Sequence, residues 1–87
     1  MSEPTLEVAV DDYLQHLTVE RGLSRNTLAA YGRDLACLVA FAADRGVTGA
    51  EAVEPPLLLA FASQQHREGL GARSQARRLV AVRGLFR

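Results

Sequence analysis

Apolar residues recur along this chain at helical spacing. Leu6, Val10, Tyr13, Leu14 and Leu17 fall at i, i+4, i+7, i+8 and i+11, while Glu7, Asp11, Asp12 and Gln15 take the opposite side. This spacing predicts a first helix over about Thr5 to Arg21, closed by Gly22 as a left-handed cap. A second helix is predicted from Ser24, whose hydroxyl can accept a first-turn N–H. Thr27, three residues on, stands where a capping box would carry Glu or Gln. Leu28, Tyr31, Leu35, Leu38, Val39 and Ala42 form its apolar stripe, which ends at Asp44 to Gly46, with Arg45 suited to the helix dipole.

Val47 to Glu54 reads as a loop with at most one short turn. Pro55 and Pro56 then open a third helix, because first-turn N–H groups lack an intrahelical acceptor in any case. Its buried face would be Leu57, Leu58, Phe61 and Ala62, and Gly69 its end. Residues 69–71 form a hinge, and a fourth helix starts near Ala72 to Ser74. There Leu79, Val82 and Phe86 are expected to point inward with Ala76 or Leu85. Arg77 and Arg78 would then lie largely on the outer face, and Arg83 near the edge of the buried stripe. No strand is expected. The fold class is therefore all-α, a small four-helix bundle forming one domain over residues 1–87.

The length limits that bundle to one core. At 87 residues it buries only roughly 60% of the surface of its unfolded chain, so its stability should be a few kcal/mol. The single cysteine, Cys37, cannot form an internal disulfide, and His16 and His66 are too scattered to suggest zinc, so no metal or cofactor is expected. The N-terminus lacks a signal-peptide pattern and no apolar run approaches a membrane span, which fits a cytoplasmic protein without a membrane partner. The helical pattern still runs at Arg87, which suggests a piece of a longer protein.

Net charge is zero, but the charges are segregated. Residues 1–20 carry five acids and no base, and residues 70–87 carry five arginines and no acid. These arginines could complement a helix dipole or the acidic first helix. Alternatively Arg73, Ser74, Arg77 and Arg78 present a set suited to phosphates and to guanine edges. Composition leaves both readings open.

Other candidates read as structural. Tyr31 lies in the stripe with Leu28 and Leu35, so its ring should pack inward with the hydroxyl at the rim. Asp34 suits a solvated salt bridge or a cap. "GLGARSQ" lacks the strand and the Gly-Lys-Ser/Thr of a phosphate loop, Cys37 has no neighbour that would activate it, and no catalytic constellation can be assembled.

The stretches "LSRNTLAAYGRDL" and "SQARRLVAVRGLF", within "VDDYLQHLTVERGLSRNTLAAYGRDLACLVAFA" and "GLGARSQARRLVAVRGLF", resemble the N-terminal core-binding domain of tyrosine recombinases. The nearest likeness is to the Xer site-specific recombinases, with a phage-type integrase as the other reading, and the resemblance covers nearly all of residues 6–87. It implies a SAM-like bundle forming half of a clamp on double-stranded DNA, with the second and fourth helices crossing the major groove of a recombination half-site. The DNA contacts it implies are Arg25, Asn26, Thr27 and Arg33 from the first signature, and Arg73, Ser74, Arg77, Arg78 and Arg83 from the second.

In that family, strand exchange through a phosphotyrosyl intermediate belongs to a C-terminal domain. The present chain is therefore expected to be catalytically inert and, alone, monomeric, with recombinase protomers as partners of the whole protein in chromosome dimer resolution or integration. Gly32 and Gly84 depart from the family pattern. Each should cost roughly 1 kcal/mol relative to alanine, and Gly84 should also remove a DNA contact. The alternative function is a helical protein-interaction module whose arginines meet an acidic partner.

Overall fold

A computed structural model describes residues 5–86 as four α-helices: α1 (Leu6–His16), α2 (Arg25–Asp44), α3 (Pro55–Arg67) and α4 (Ala72–Leu85). Glu3 and Arg87, counted in the charge asymmetry, lie outside the described residues. The predicted boundaries hold because their local chemistry holds. Thr5 Oγ1 accepts from the Val8 N–H at 3.1 Å and Ser24 Oγ accepts from the Thr27 N–H at 3.1 Å, each satisfying a first-turn donor. The Ser24 hydroxyl in turn donates to Thr27 Oγ1 at 2.9 Å, a contact between side chains rather than the bond to the Ser24 N–H that would complete a capping box.

α1 continues through a π-helical turn over Leu17–Arg21, where the Thr18 hydroxyl donates to the Leu14 carbonyl at 2.9 Å. It closes on Gly22 at φ 58, the left-handed geometry that glycine adopts without cost. In the loop after α2, a 3₁₀ turn spans Ala50–Ala52, and Thr5 forms an isolated antiparallel bridge with Gly49. The Leu6 N–H donates to the Thr48 carbonyl at 2.7 Å, tying the start of α1 to that loop.

The core is a single cluster of Leu6 and Val10 from α1, Leu35, Leu38, Phe41 and Ala42 from α2, Phe61 from α3, and Ala81 and Val82 from α4. α2 lies centrally, in contact with the other three helices. Phe41 and Phe61 meet with ring centroids 5.2 Å apart at 56°, a tilted geometry that suits their quadrupoles. The Arg45 guanidinium sits 4.0 Å over the Phe41 ring and that of Arg78 sits 5.9 Å over Phe61, so a cation covers each end of the aromatic pair.

The fourth helix departs from expectation. Of the residues expected inward, Val82 is buried and Leu85 half-buried, but Leu79 is 50% and Phe86 38% exposed, and Ala76 is exposed as well. The inward stripe is instead Ser74, Arg77, Arg78, Ala81, Val82 and Leu85, a rotation of about one residue, or ~100°. Leu79, Phe86 and Arg83 consequently line an open cleft of about 360 Å³ between α3 and α4, floored by Leu58, Phe61 and Val82.

The two helical glycines also differ from one another. A Cβ at Gly32 would sit 3.7 Å from Leu14 Cδ1, an ordinary contact, whereas one at Gly84 would lie 1.9 Å from the Tyr13 hydroxyl oxygen and 2.8 Å from Tyr13 Cζ. Gly84 is therefore where the Tyr13 ring of α1 seats on α4, a packing reason for a glycine that the sequence reading counted only as a lost side chain.

Candidate nucleic-acid interface

The fourth helix is rotated because α2 buries a charge beneath it. Asp34 is 0% exposed, and both ion pairs found among the described residues end on its carboxylate. Arg77 donates from Nε to Oδ2 and from Nη2 to Oδ1, both at 2.8 Å, a bidentate fork. Arg78 donates from Nε to Oδ1 at 3.0 Å and from Nη1 to Gln65 Oε1 of α3. Asp34 is thus neither a solvated ion-pair member nor a cap, but the buried counter-charge that joins α2 to α4. Nor do the acids of α1 supply the partners of Arg77 and Arg78.

The electrostatics follow from that geometry. Burial pushes the Asp34 carboxyl upward, but the hydrogen bonds from Arg77 and Arg78, with their charges, outweigh it and hold the group below the usual carboxylate value. The hydrogen bond to Asp34 raises Arg77 above the ordinary arginine value against the opposing effect of burial, and the Asp34 charge adds to the rise. Two guanidiniums share one carboxylate, so the cluster keeps an uncompensated positive charge at the seam between α2 and α4.

Access to that charge is unequal. Neither arginine lies on the outer face as expected, yet the Arg77 side chain is 37% exposed and that of Arg78 only 12%. Arg77 engages Asp34 through Nε and Nη2, and its side chain remains more open to solvent than that of Arg78. Arg78 is held at both ends, by Asp34 and Gln65, and lies over Phe61.

The other candidates fall into separate groups. Arg73 is exposed and Ser74 half-buried in the first turn of α4, one turn before Arg77. No side chain caps that turn, since Gly71 occupies the N-cap. Arg25 and Asn26 are exposed at the start of α2, Thr27 is half-buried and engaged by Ser24, and Arg33 is exposed immediately before the buried Asp34. Arg83 is exposed but lines the cleft between α3 and α4 with Leu79 and Phe86, apart from the Arg73–Arg77 group. Tyr31 is half-buried against the core, in keeping with its packing role.

Asp34 is the residue that sequence reasoning misjudged. Its signal was available as periodicity: Thr27, Tyr31 and Asp34 repeat at i, i+4 and i+7, which places the carboxylate on the same face as the packing tyrosine.

The comparisons with known proteins agree with this architecture. The model of the phage integrase N-terminal SAM-like domain matches residues 10–87. The chain is 44% identical over 77 residues to a tyrosine recombinase XerC of Xylella fastidiosa strain 9a5c, a match covering 88% of this chain and 26% of that protein. It is 40% identical over 82 residues to a tyrosine recombinase XerC of Pseudomonas entomophila strain L48, covering 94% of this chain and 27% of that protein. The tyrosine recombinase XerC of Xanthomonas campestris pv. campestris strain B100 is 40% identical over 78 residues, 90% of this chain and 24% of that protein. The chain thus spans about a quarter of the length of the curated relatives it matches. No solved structure matches it. With four helices, no strand among its described residues and a family match over most of its length, the chain belongs to the phage integrase N-terminal SAM-like domain family.

Proposed function

We propose that this domain binds double-stranded DNA as one half of the clamp of a site-specific tyrosine recombinase. The observation that carries the reading is the cationic seam between α2 and α4, where Arg77 is fixed in place and Arg73 and Ser74 lie a turn before it. The first turn of α4 adds backbone N–H groups without a side-chain cap, which suit a phosphate oxygen beside Arg73. Arg25, Asn26 and Arg33 extend the polar surface along α2, and from there arginine and asparagine can reach phosphates or base edges. Thr27 and Arg83 complete the expected set at its margins.

Strand exchange on this reading is carried by another domain of the recombinase, and the present residues hold and orient the half-site for it. Other recombinase protomers are the protein partners, in chromosome dimer resolution or integration within the cytoplasm. Among the described residues no helix is long and apolar enough to cross a membrane.

A second reading has one observation in its favour. The cleft between α3 and α4 exposes Leu79 and Phe86, and an apolar cleft of that kind suits a protein segment. Amide chemical shifts recorded while duplex DNA is added separate the two. Shifts concentrated at residues 25–27, 73–74 and 77, with the acidic face of α1 unmoved, are expected for the DNA clamp. Shifts confined to the cleft, or none, would overturn it.

A further inference from the structure

Resting on the DNA-binding reading, we infer that Asp34 is a positioning residue that divides the Arg77–Arg78 pair, aiming Arg77 at the DNA backbone and withdrawing Arg78 into the fold. Two adjacent arginines on a helix look interchangeable as phosphate ligands. The carboxylate between them makes them different. The bidentate contact with Asp34 uses Nε and Nη2 of Arg77 and fixes the plane of its guanidinium, on a side chain that stays 37% exposed. A rigid fork of donors held this way is already ordered before a phosphate arrives. Arg78 has no such freedom. Its Nε is held by Asp34, its Nη1 by Gln65, its guanidinium lies 5.9 Å over the Phe61 ring, and only 12% of its side chain meets solvent. It fastens α4 to α2 and α3.

Asp34 thereby does something unexpected of an anion beneath a DNA-binding surface. It lowers the total positive charge but improves the placement of what remains. Charge alone and positioning therefore predict opposite signs for its neutralisation, which makes the assignment testable.

The test uses the 87-residue chain, its variants R77A, R78A, D34N and R77K, and a fluorescein-labelled duplex titrated by anisotropy at several salt concentrations. A circular-dichroism melt of each variant sets a temperature at which it is folded. Each phosphate contact contributes about 0.9 to the slope of log affinity against log salt. R77A should flatten the slope by about that amount. R78A should leave the slope unchanged and lower the melting temperature.

D34N should weaken binding about two- to tenfold, the penalty of ordering one long side chain on binding, although it removes a negative charge. Should D34N fail to fold, R77K serves instead, since it keeps the charge and loses the fork. Its slope should stay unchanged and its affinity should fall over the same range. Equal loss of slope in R77A and R78A would overturn the assignment, as would tighter binding by folded D34N. Failure of the unaltered chain to bind at low salt would remove the DNA-binding reading, and this assignment with it.

Discussion

Replacing Gly84 with alanine should destabilise this domain, against the ordinary preference of helices. Near the end of α4 the substitution contributes at most about 1 kcal/mol of helix propensity. The added Cβ would lie 1.9 Å from the Tyr13 hydroxyl oxygen, 2.8 Å from Cζ and 3.3 Å from Cε1, so it meets the ring as well as its tip. The Tyr13 ring must leave its seat against the core, and overpacking of that kind costs about 1–3 kcal/mol. The net expectation is a loss of about 1 kcal/mol.

The assay is a double-mutant cycle in urea, followed by circular dichroism, with G84A, Y13A and the pair. Where residue 13 is alanine the obstruction is gone, and G84A should stabilise by up to about 1 kcal/mol, a coupling of about 2 kcal/mol between the two sites. G32A is the control. Its Cβ meets only Leu14 Cδ1 at 3.7 Å, so it should stabilise by about 1 kcal/mol. Additive effects of G84A and Y13A, or equal gains from G84A and G32A, would refute the seat proposed for Tyr13.

Asp34 makes the fold acid-sensitive in a defined direction. Its carboxyl is lower in pKa when folded than when free, so its contribution is complete above the ordinary value of 3.8 and is lost as pH falls through the folded value. Acid titration of the unaltered chain should show this loss. D34N should be less stable at neutral pH, by about 1–2 kcal/mol because the amide oxygen still accepts an arginine N–H and Arg77 reaches solvent, and should lack this component below pH 3.8. Ser24→Ala removes the hydroxyl that accepts from the Thr27 N–H, and urea unfolding should show a loss of about 1 kcal/mol. Phe61→Ala opens the aromatic pair and the seat of Arg78, and a loss of about 3–5 kcal/mol should leave the domain largely unfolded by circular dichroism.

The helix boundaries were legible because they rest on local chemistry. Ser24, Gly22, the Pro55–Pro56 pair and Gly69 act within a turn of their own position, and each stands where the sequence places it, with Gly22 at φ 58 and Gly69 at φ 87. The stripe of α1 was legible for a related reason, since no charged residue interrupts Leu6, Val10 and Leu17. In α4 the same reasoning failed. The rule that charges face outward turned Arg77 and Arg78 away and brought Leu79 and Phe86 in, when the charge that reverses this choice sits 43 residues away from Arg77 in the chain. Gly84 was misread on similar grounds. Its partner, Tyr13, belongs to α1, and a close approach between helices leaves no periodic trace in either. The residues proposed for the interface come from family resemblance, whereas the different surroundings of Arg77 and Arg78 depend on a tertiary contact that no local pattern shows.

The DNA-binding reading stands most directly on one titration. A labelled duplex carrying a recombination half-site, beside a scrambled duplex, is titrated with the unaltered chain by fluorescence anisotropy from low to physiological salt. Log affinity should fall linearly with log salt, with the half-site preferred if base edges are read. Absence of binding at low salt, or binding indifferent to salt, would contradict it.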